Sequence, residues 1–236
     1  MASLVTVGVL ALQGGFNEHL NLLRQAGSII SPDAASLNFI EVRTLVDLEQ
    51  CHALIIPGGE STTIANIAEQ SGLMQPLRDF VNLHKKPVWG TCAGLILLSN
   101  EANATKQGGQ ALIGGLSVRV QRNHFGRQIE SFFTPLTLPF LADSSSASVE
   151  PFQAVFIRAP IVEEILPLKA PEDKPVEVLA SLPGHEKSGG SEGSSHGDIV
   201  AVRQGNILGT SFHPELTNDA RIHVWWLRQV LRDILS

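Results

Sequence analysis

Up to residue 90 the chain alternates short apolar runs with polar, helix-prone stretches, and this alternation limits the fold more than any other feature. The runs "LVTVGVLAL" (4–12), "NFIEVR" (38–43), "ALIIP" (53–57) and "PVWG" (87–90) are rich in aliphatic and β-branched residues. Near-continuous apolar runs of this length suit strands buried on both faces. An amphipathic stretch from Phe16 to Ala26, with Leu20, Leu22 and Leu23, separates the first two. Residues 62–84, between the third and fourth, can hold two short helices divided near Gly72. Strand–helix alternation predicts a parallel sheet with helices on both faces.

The second half reads differently. "LSVRVQRN", "QIESFFTPL", "QAVFIRAP", "VEVLASL", "DIVAVRQGN" and "ILGTSFHPE" are strand-like pieces joined by turns. They predict an antiparallel or mixed extension of the sheet. The closing "NDARIHVWWLRQVLRDIL" (218–235) has helical patterning, with Asn218 or Thr217 as candidate cap. The polar segments 142–151 and 183–198, the latter Gly/Ser-rich, read as surface loops. No internal repeat is present, so the expectation is one α/β domain over 1–236: a three-layer sandwich whose mostly parallel central sheet carries an antiparallel extension.

A net charge of −6 gives no electrostatic reason for nucleic-acid or acidic-membrane binding. The densest apolar runs, near 4–12, 53–57 and 94–98, are too short to span a bilayer. "MASLVTVGVLALQGG" has no charged segment before its apolar stretch and reads as a first strand rather than a signal peptide. Two cysteines, Cys51 and Cys92, make no disulfide framework. A reducing, cytoplasmic setting is expected.

Cys92 stands in "VWGTCAGLILL", the strand–turn–helix grammar of a nucleophile elbow, with Gly90 and Gly94 two residues to either side. Small residues there permit a sharp turn that lifts the sulfur above the sheet. A helix N-terminus behind it favours thiolate, and the Ala93 N–H is aimed where an oxyanion would form. A packed core cysteine is the alternative for this pattern alone. A thiol nucleophile needs a base and the base needs an orienting acceptor. Among eight histidines, His213 in "GTSFHPELTND" follows an apolar run, with Glu215 two residues on. In an extended segment these two share a face, and Pro214 stiffens the pair. His19 and His223 fall inside helical patterns, and His185 and His196 in the Gly/Ser-rich loop. No pair has metal-ligand spacing, so no metal is expected. Cys51 reads as a packed, inert thiol.

"IIPGGESTTI" (55–64) ends a strand in Gly58-Gly59 and opens a helix at Ser61-Thr62-Thr63. Adjacent glycines allow positive φ and close backbone approach, which would suit the second half of an oxyanion hole. A plain strand-to-helix turn is the other reading. "VQRNHFGRQIESF" (120–132) gathers Arg122, Asn123, His124, Arg127, Gln128 and Glu130. It is either a solvated charged strand or a carboxylate-recognition or docking surface, with Arg158 able to serve the same anion.

Taken together, "PGGESTT" (57–63), "GTCAG" (90–94) and "SFHPE" (211–215) resemble the class I (triad) glutamine amidotransferases. More narrowly, "LQGGFNEH", "RNHFGRQIESF", "FIRAP" and "SFHPELT" are similar to the glutaminase subunits of pyridoxal 5'-phosphate synthase. The likeness runs from residue 4 to about 230. It implies hydrolysis of L-glutamine to glutamate and ammonia. Cys92 would be the nucleophile, forming a glutamyl thioester, with His213 as base and acid and Glu215 orienting His213. The oxyanion hole would be Ala93 with Gly58 and Gly59, and Gln13 beside it. Glutamine contacts would be Gly59, Glu60, Ser61, Arg122, Ile157 and Arg158. Ammonia would pass to a separate (β/α)₈-barrel synthase subunit, pyridoxal phosphate being that complex's product and no cofactor of this chain. The 183–198 insertion and the 27–41 connection are longer than in compact bacterial-type members. Alternatives are a triad amidotransferase of another pathway, a catalytically silent regulatory subunit and, more remotely, a free-standing cysteine peptidase.

Overall fold

A computed structural model of the chain describes residues 3–30, 35–103, 109–122, 131–142, 150–168, 170–183 and 197–235. The strands are β1 (Leu4–Leu10), β2 (Ser36–Val42), β3 (Ala53–Ile56), β4 (Val88–Thr91), β5 (Ser99–Ala102), β6 (Leu116–Gln121), β7 (Ser131–Leu136), β8 (Phe152–Ile157), β9 (Ile161–Ile165), β10 (Glu177–Leu182), β11 (Asp198–Gln204) and β12 (Ile207–Thr210). The helices are α1 (Phe16–Ile29), α2 (Leu45–Glu49), α3 (Ser61–Gln70), α4 (Met74–Arg78), α5 (Ala93–Leu98) and α6 (Arg221–Leu235).

Among the described residues ten strands form one sheet in the order β2-β1-β3-β4-β12-β11-β9-β6-β5, with β10 also paired to β11. The run from β2 to β12 is parallel throughout. Pairings of β11 with β12, β10 and β9, and of β9 with β6, are antiparallel. This is the expected mostly parallel sheet with an antiparallel extension. One difference is that β7 and β8 stand apart as a two-stranded antiparallel ribbon.

Side chains of the central strands alternate between two cores, as the period of a strand requires. Val5, Val7, Val9, Ala53, Ile55 and Trp89 face one way, against α1 and α6. Leu10, Leu54, Ile56 and Val88 face the other, against α2, α3, α4 and α5. Each Val, Leu or Ile so buried contributes about 1.5–3 kcal/mol relative to exposure. Strands covered on both sides explain why the early runs look continuously apolar.

Sequence patterning missed α2, β5 and β9. The start of α2 is a capping box: Asp47 N–H donates to Thr44 Oγ1 at 3.3 Å, and Thr44 N–H donates to Asp47 Oδ2 at 2.9 Å. At the last helix, neither Asn218 nor Thr217 is the cap. Thr217 Oγ1 accepts from the Asp219 N–H at 3.2 Å, and Asp219 Oδ1 accepts the Arg221 N–H at 3.0 Å, so α6 starts later than predicted. The break between α3 and α4 does fall at Gly72, whose φ of 74° suits a residue without a Cβ. Most of the two polar segments, 143–149 and 184–196, lies outside the described residues, as do 123–130 with Asn123, His124, Arg127, Gln128 and Glu130. Among the described residues no helix is long and apolar enough to cross a membrane.

Candidate active site

Strands β4 and β12 are parallel neighbours in register, Thr91 opposite Thr210, so they end side by side. Cys92 follows the first of these ends and His213 lies three residues beyond the second. Cys92 has φ 47° and ψ −100°, a left-handed conformation costing about 1–3 kcal/mol in a non-glycine residue. The surroundings hold it there. Its N–H donates to the Thr210 carbonyl at 2.8 Å, and its carbonyl accepts the Ile96 N–H at 3.2 Å. The flanking glycines are a packing requirement: a Cβ on Gly90 would meet the Gly94 backbone, and one on Gly94 would meet the Ile56 carbonyl. Elbow geometry is therefore present, with Ala93 as the first residue of α5.

His213 and Glu215 come together, but by a different backbone from the one expected. Pro214–Leu216 forms a 3₁₀ turn rather than an extended segment. His213 Nδ1 lies 2.8 Å from Glu215 Oε1, and Nδ1–H is the donor because an ionised carboxylate only accepts. That leaves the opposite ring nitrogen available to the Cys92 side chain, which is near enough to act on the His213 pKa. Burial disfavours the imidazolium, but the hydrogen bonds to Cys92 and Glu215 and their charges outweigh it and raise the His213 pKa to about 10. Burial likewise opposes the Glu215 carboxylate. The His19 and His213 side chains beside it prevail and hold its pKa well below the usual range.

Gly58 and Gly59 are not in positive φ, so of the two properties expected of adjacent glycines only close approach is used. A Cβ on Gly58 would stand 2.6 Å from His213 Nδ1, and one on Gly59 would run into Gln13 Oε1. Gln13 Oε1 accepts the Glu60 N–H at 2.8 Å, and the Gly15 N–H donates to the Gly58 carbonyl at 3.1 Å. The "LQGG" loop thus backs directly onto the glycine turn.

Glu60 is the N-cap of α3: its carboxylate accepts from Thr62 N–H at 3.1 Å, Thr63 N–H at 2.6 Å and the Thr63 hydroxyl at 2.7 Å. Partial burial works against the charged form, but these donors lower its pKa. Arg122 Nη2 donates to Ser61 Oγ at 2.9 Å and Thr62 Oγ1 at 3.1 Å, and stands 3.9 Å from Glu60 Oε1. Both hydroxyls also reach Gln110 Oε1, at 3.0 and 3.2 Å. So Glu60, Ser61 and Arg122 form one cluster, joined through the glycine turn to His213. Ile157 and Arg158 are exposed at the end of β8. Two residues earlier on that strand, the Val155 carbonyl accepts the His213 N–H at 2.8 Å. Arg158 has φ 44°.

Sequence reading missed three groups. Gln110 sits in a glycine-flanked loop with no local signature. His19 and His223 are both fully buried behind Glu215. For the two histidines a signal of burial did exist. His19, Leu23 and Ala26 keep helical spacing on one apolar stripe, as do His223, Trp226, Leu227 and Val230. Among the described residues no group of three or more His, Cys, Asp or Glu side chains is placed to hold a metal ion.

Similarity to known proteins fits this geometry. The model of the SNO glutamine amidotransferase family matches residues 9–232. The probable pyridoxal 5'-phosphate synthase subunit PDX2 of Arabidopsis thaliana is 45% identical over 235 residues, covering 95% of this chain and 85% of that protein. The pyridoxal 5'-phosphate synthase subunit PdxT of Moorella thermoacetica is 41% identical, covering 95% and 98%. A crystal structure of a glutamine amidotransferase superposes with TM-score 0.71 at 39% identity, covering 95% of this chain and 98% of that one. With its sequence matched almost end to end, the chain belongs to the SNO glutamine amidotransferase family.

Proposed function

We propose that the chain is a glutaminase subunit of a pyridoxal 5'-phosphate synthase, releasing ammonia from L-glutamine for a separate (β/α)₈-barrel synthase subunit. The observation that carries the chemistry is the placement of Cys92 and of the hydrogen-bonded His213–Glu215 pair at the ends of two adjacent parallel strands. The names of the PDX2 and PdxT relatives support the pathway.

In this reading Cys92 Sγ attacks the side-chain amide carbon of glutamine after its proton passes to His213. Backbone N–H groups of Ala93 and the Gly58-Gly59 turn receive the oxyanion. Collapse of the tetrahedral adduct breaks the C–N bond, and His213 gives its proton to the leaving nitrogen, which departs as ammonia. The glutamyl thioester is then attacked by water. His213 takes the water proton and returns it to sulfur as glutamate leaves. Glu215 holds His213 in the tautomer this cycle requires. Arg122, with Glu60, Ser61 and Gly59, binds the amino-acid end of glutamine, and Ile157 and Arg158 close the site from β8. Gln13, clasping the Glu60 N–H, borders the oxyanion hole. The whole chain, 1–236, acts as one amidotransferase domain, and its free thiols suit a reducing, cytoplasmic setting.

Glutamate release from L-glutamine, measured with and without a pyridoxal phosphate synthase barrel subunit and beside Cys92→Ala, tests this. Release that depends on Cys92 and rises with the synthase supports both parts. Cys92-dependent release indifferent to that synthase keeps the glutaminase and removes the pathway. No release with the synthase present removes the catalytic reading.

A further inference from the structure

A buried polar group with no part in that mechanism lies directly behind Glu215. Glu215 Oε1 is engaged by His213, but Oε2 has no hydrogen bond of normal geometry among the described residues. The group set against Oε2 is His19 Nε2, 3.3 Å away, on the first turn of α1. Nε2 is shared with Thr91 Oγ1, 3.2 Å away and adjacent in sequence to Cys92. On the far side of the ring, His19 Nδ1 lies 3.0 Å from His223 Nε2 on α6. Trp89 meets both imidazoles edge-on, with centroids 5.7 and 4.8 Å away. His19, His223, Thr91 and Trp89 are each 0% exposed.

The chemistry of these atoms assigns the protons. A carboxylate accepts and cannot donate, so the proton facing Oε2 is on His19 Nε2. Complete burial holds the His223 pKa well below its ordinary value, so His223 is neutral with one N–H. With that hydrogen on Nε2 it donates to His19 Nδ1 and fixes the tautomer that puts the other ring proton on His19 Nε2, between Thr91 Oγ1 and Glu215 Oε2.

We propose that His19 is a positioning residue of the active site, holding Glu215 from behind through Oε2 while His223 locks its orientation. This rests on the glutaminase reading above. During turnover His213 gives its proton to the departing ammonia. For that interval Glu215 is a buried carboxylate beside a neutral imidazole, an expensive state for a charge with no other donor. A second donor on Oε2 keeps the carboxylate ionised and Oε1 on His213. Because α1 begins directly after the "LQGG" loop, the same side chain ties that loop's helix to both Glu215 and the turn bearing Cys92.

The test compares His19→Gln, whose amide can reach the position of Nε2, with His19→Asn, whose amide stops near Nδ1. Each is measured as full chain with the synthase subunit. His19→Asn is expected to lower kcat about 10- to 100-fold with KM within about twofold, and His19→Gln to recover most of the loss at equal Tm. His19→Leu, close in volume and lacking donors, stands in if His19→Asn does not fold. Wild-type kcat in His19→Asn or His19→Leu overturns the proposal, and so does a folded His19→Gln as impaired as His19→Asn. The rate of Cys92 alkylation by iodoacetamide in the same proteins is read independently of glutamine turnover. It should fall in His19→Asn and recover in His19→Gln. If wild type hydrolyses no glutamine, the glutaminase reading fails; identical alkylation rates across the variants sink the role of His19 by itself.

Discussion

Gly58 lies against the imidazole of His213 so closely that a Cβ would stand 2.6 Å from Nδ1 and closer still to Cε1. The ring cannot retreat freely, since Nδ1 is hydrogen-bonded to Glu215 and the His213 N–H to the Val155 carbonyl. Gly58→Ala should therefore displace the ring by a good fraction of an ångström and lower kcat by about 100-fold, the order expected for a misplacement of that size. Gly59→Ala meets mainly the end of the Gln13 side chain, which can swing away, and should lose much less. Steady-state kinetics of the pair check this, and equal losses would contradict it.

The buried ion-bearing groups set a stability profile with a definite sign. His213 has its pKa raised from 6.5 to about 10, so it binds a proton in the folded state that the unfolded chain has released. Its contribution is complete below pH 6.5 and is lost as pH climbs toward 10. Glu215 is depressed from 4.5, so its contribution is present above that pH and lost below it. His223, depressed from 6.5, also withdraws stability as pH falls, beginning near 6.5. Urea midpoints across pH should thus decline on both sides of neutrality. In His213→Gln the alkaline decline should be reduced, and an unchanged alkaline limb would show that His213 is not its source.

What the sequence made legible follows from how local each signal is. The early strands and the Cys92 elbow are written in contiguous residues: an apolar run, then Gly90-Thr91-Cys92-Ala93-Gly94. The His213–Glu215 pair was also found, but through an argument about extended backbone, whereas a 3₁₀ turn makes the contact. The glycine turn and its close approach are legible, but not the absence of positive φ, nor that the group approached is the His213 ring seated on Gly58. His19 and Gln110 were missed for a similar reason. Their partners lie 196 and 49 residues away in the chain, at Glu215 and Ser61, and nothing local to either residue encodes that meeting. Short β5 and β9 owe their existence to sheet pairing rather than to their own patterning.

The two thiols should differ sharply in reactivity. Cys51 is packed under α2, and burial pushes its thiol up to about 12, the nearby Lys86 ammonium offsetting only part of this. Its Sγ donates to the Asp47 carbonyl at 3.2 Å. Thiolate is the reacting form, so Cys51 is inert at neutral pH. Cys92 instead stands at the head of α5 beside the His213 imidazole, the base its thiol needs. Mass spectrometry after brief iodoacetamide treatment of native protein at pH 7 should find one adduct per chain, on Cys92, and none in Cys92→Ala. Labelling of Cys51 under those conditions would contradict the packing described.

Arg122 binds the first turn of α3 through one nitrogen, Nη2, on Ser61 Oγ and Thr62 Oγ1. Gln110 Oε1 takes hydrogen bonds from the same two hydroxyls. The guanidinium is thus fixed before substrate arrives, and its charge suits it to a carboxylate. Arg122→Ala should raise the KM for glutamine about 10- to 100-fold, the value of a charged hydrogen bond or two, while kcat changes little. Arg122→Lys keeps the charge but loses the fork and should recover only part of the affinity. Gln110→Ala leaves Arg122 in place but releases the hydroxyls that hold it, and its KM should lie between wild type and Arg122→Ala. A fall in kcat at constant KM in Arg122→Ala would instead place that residue with the reacting atoms.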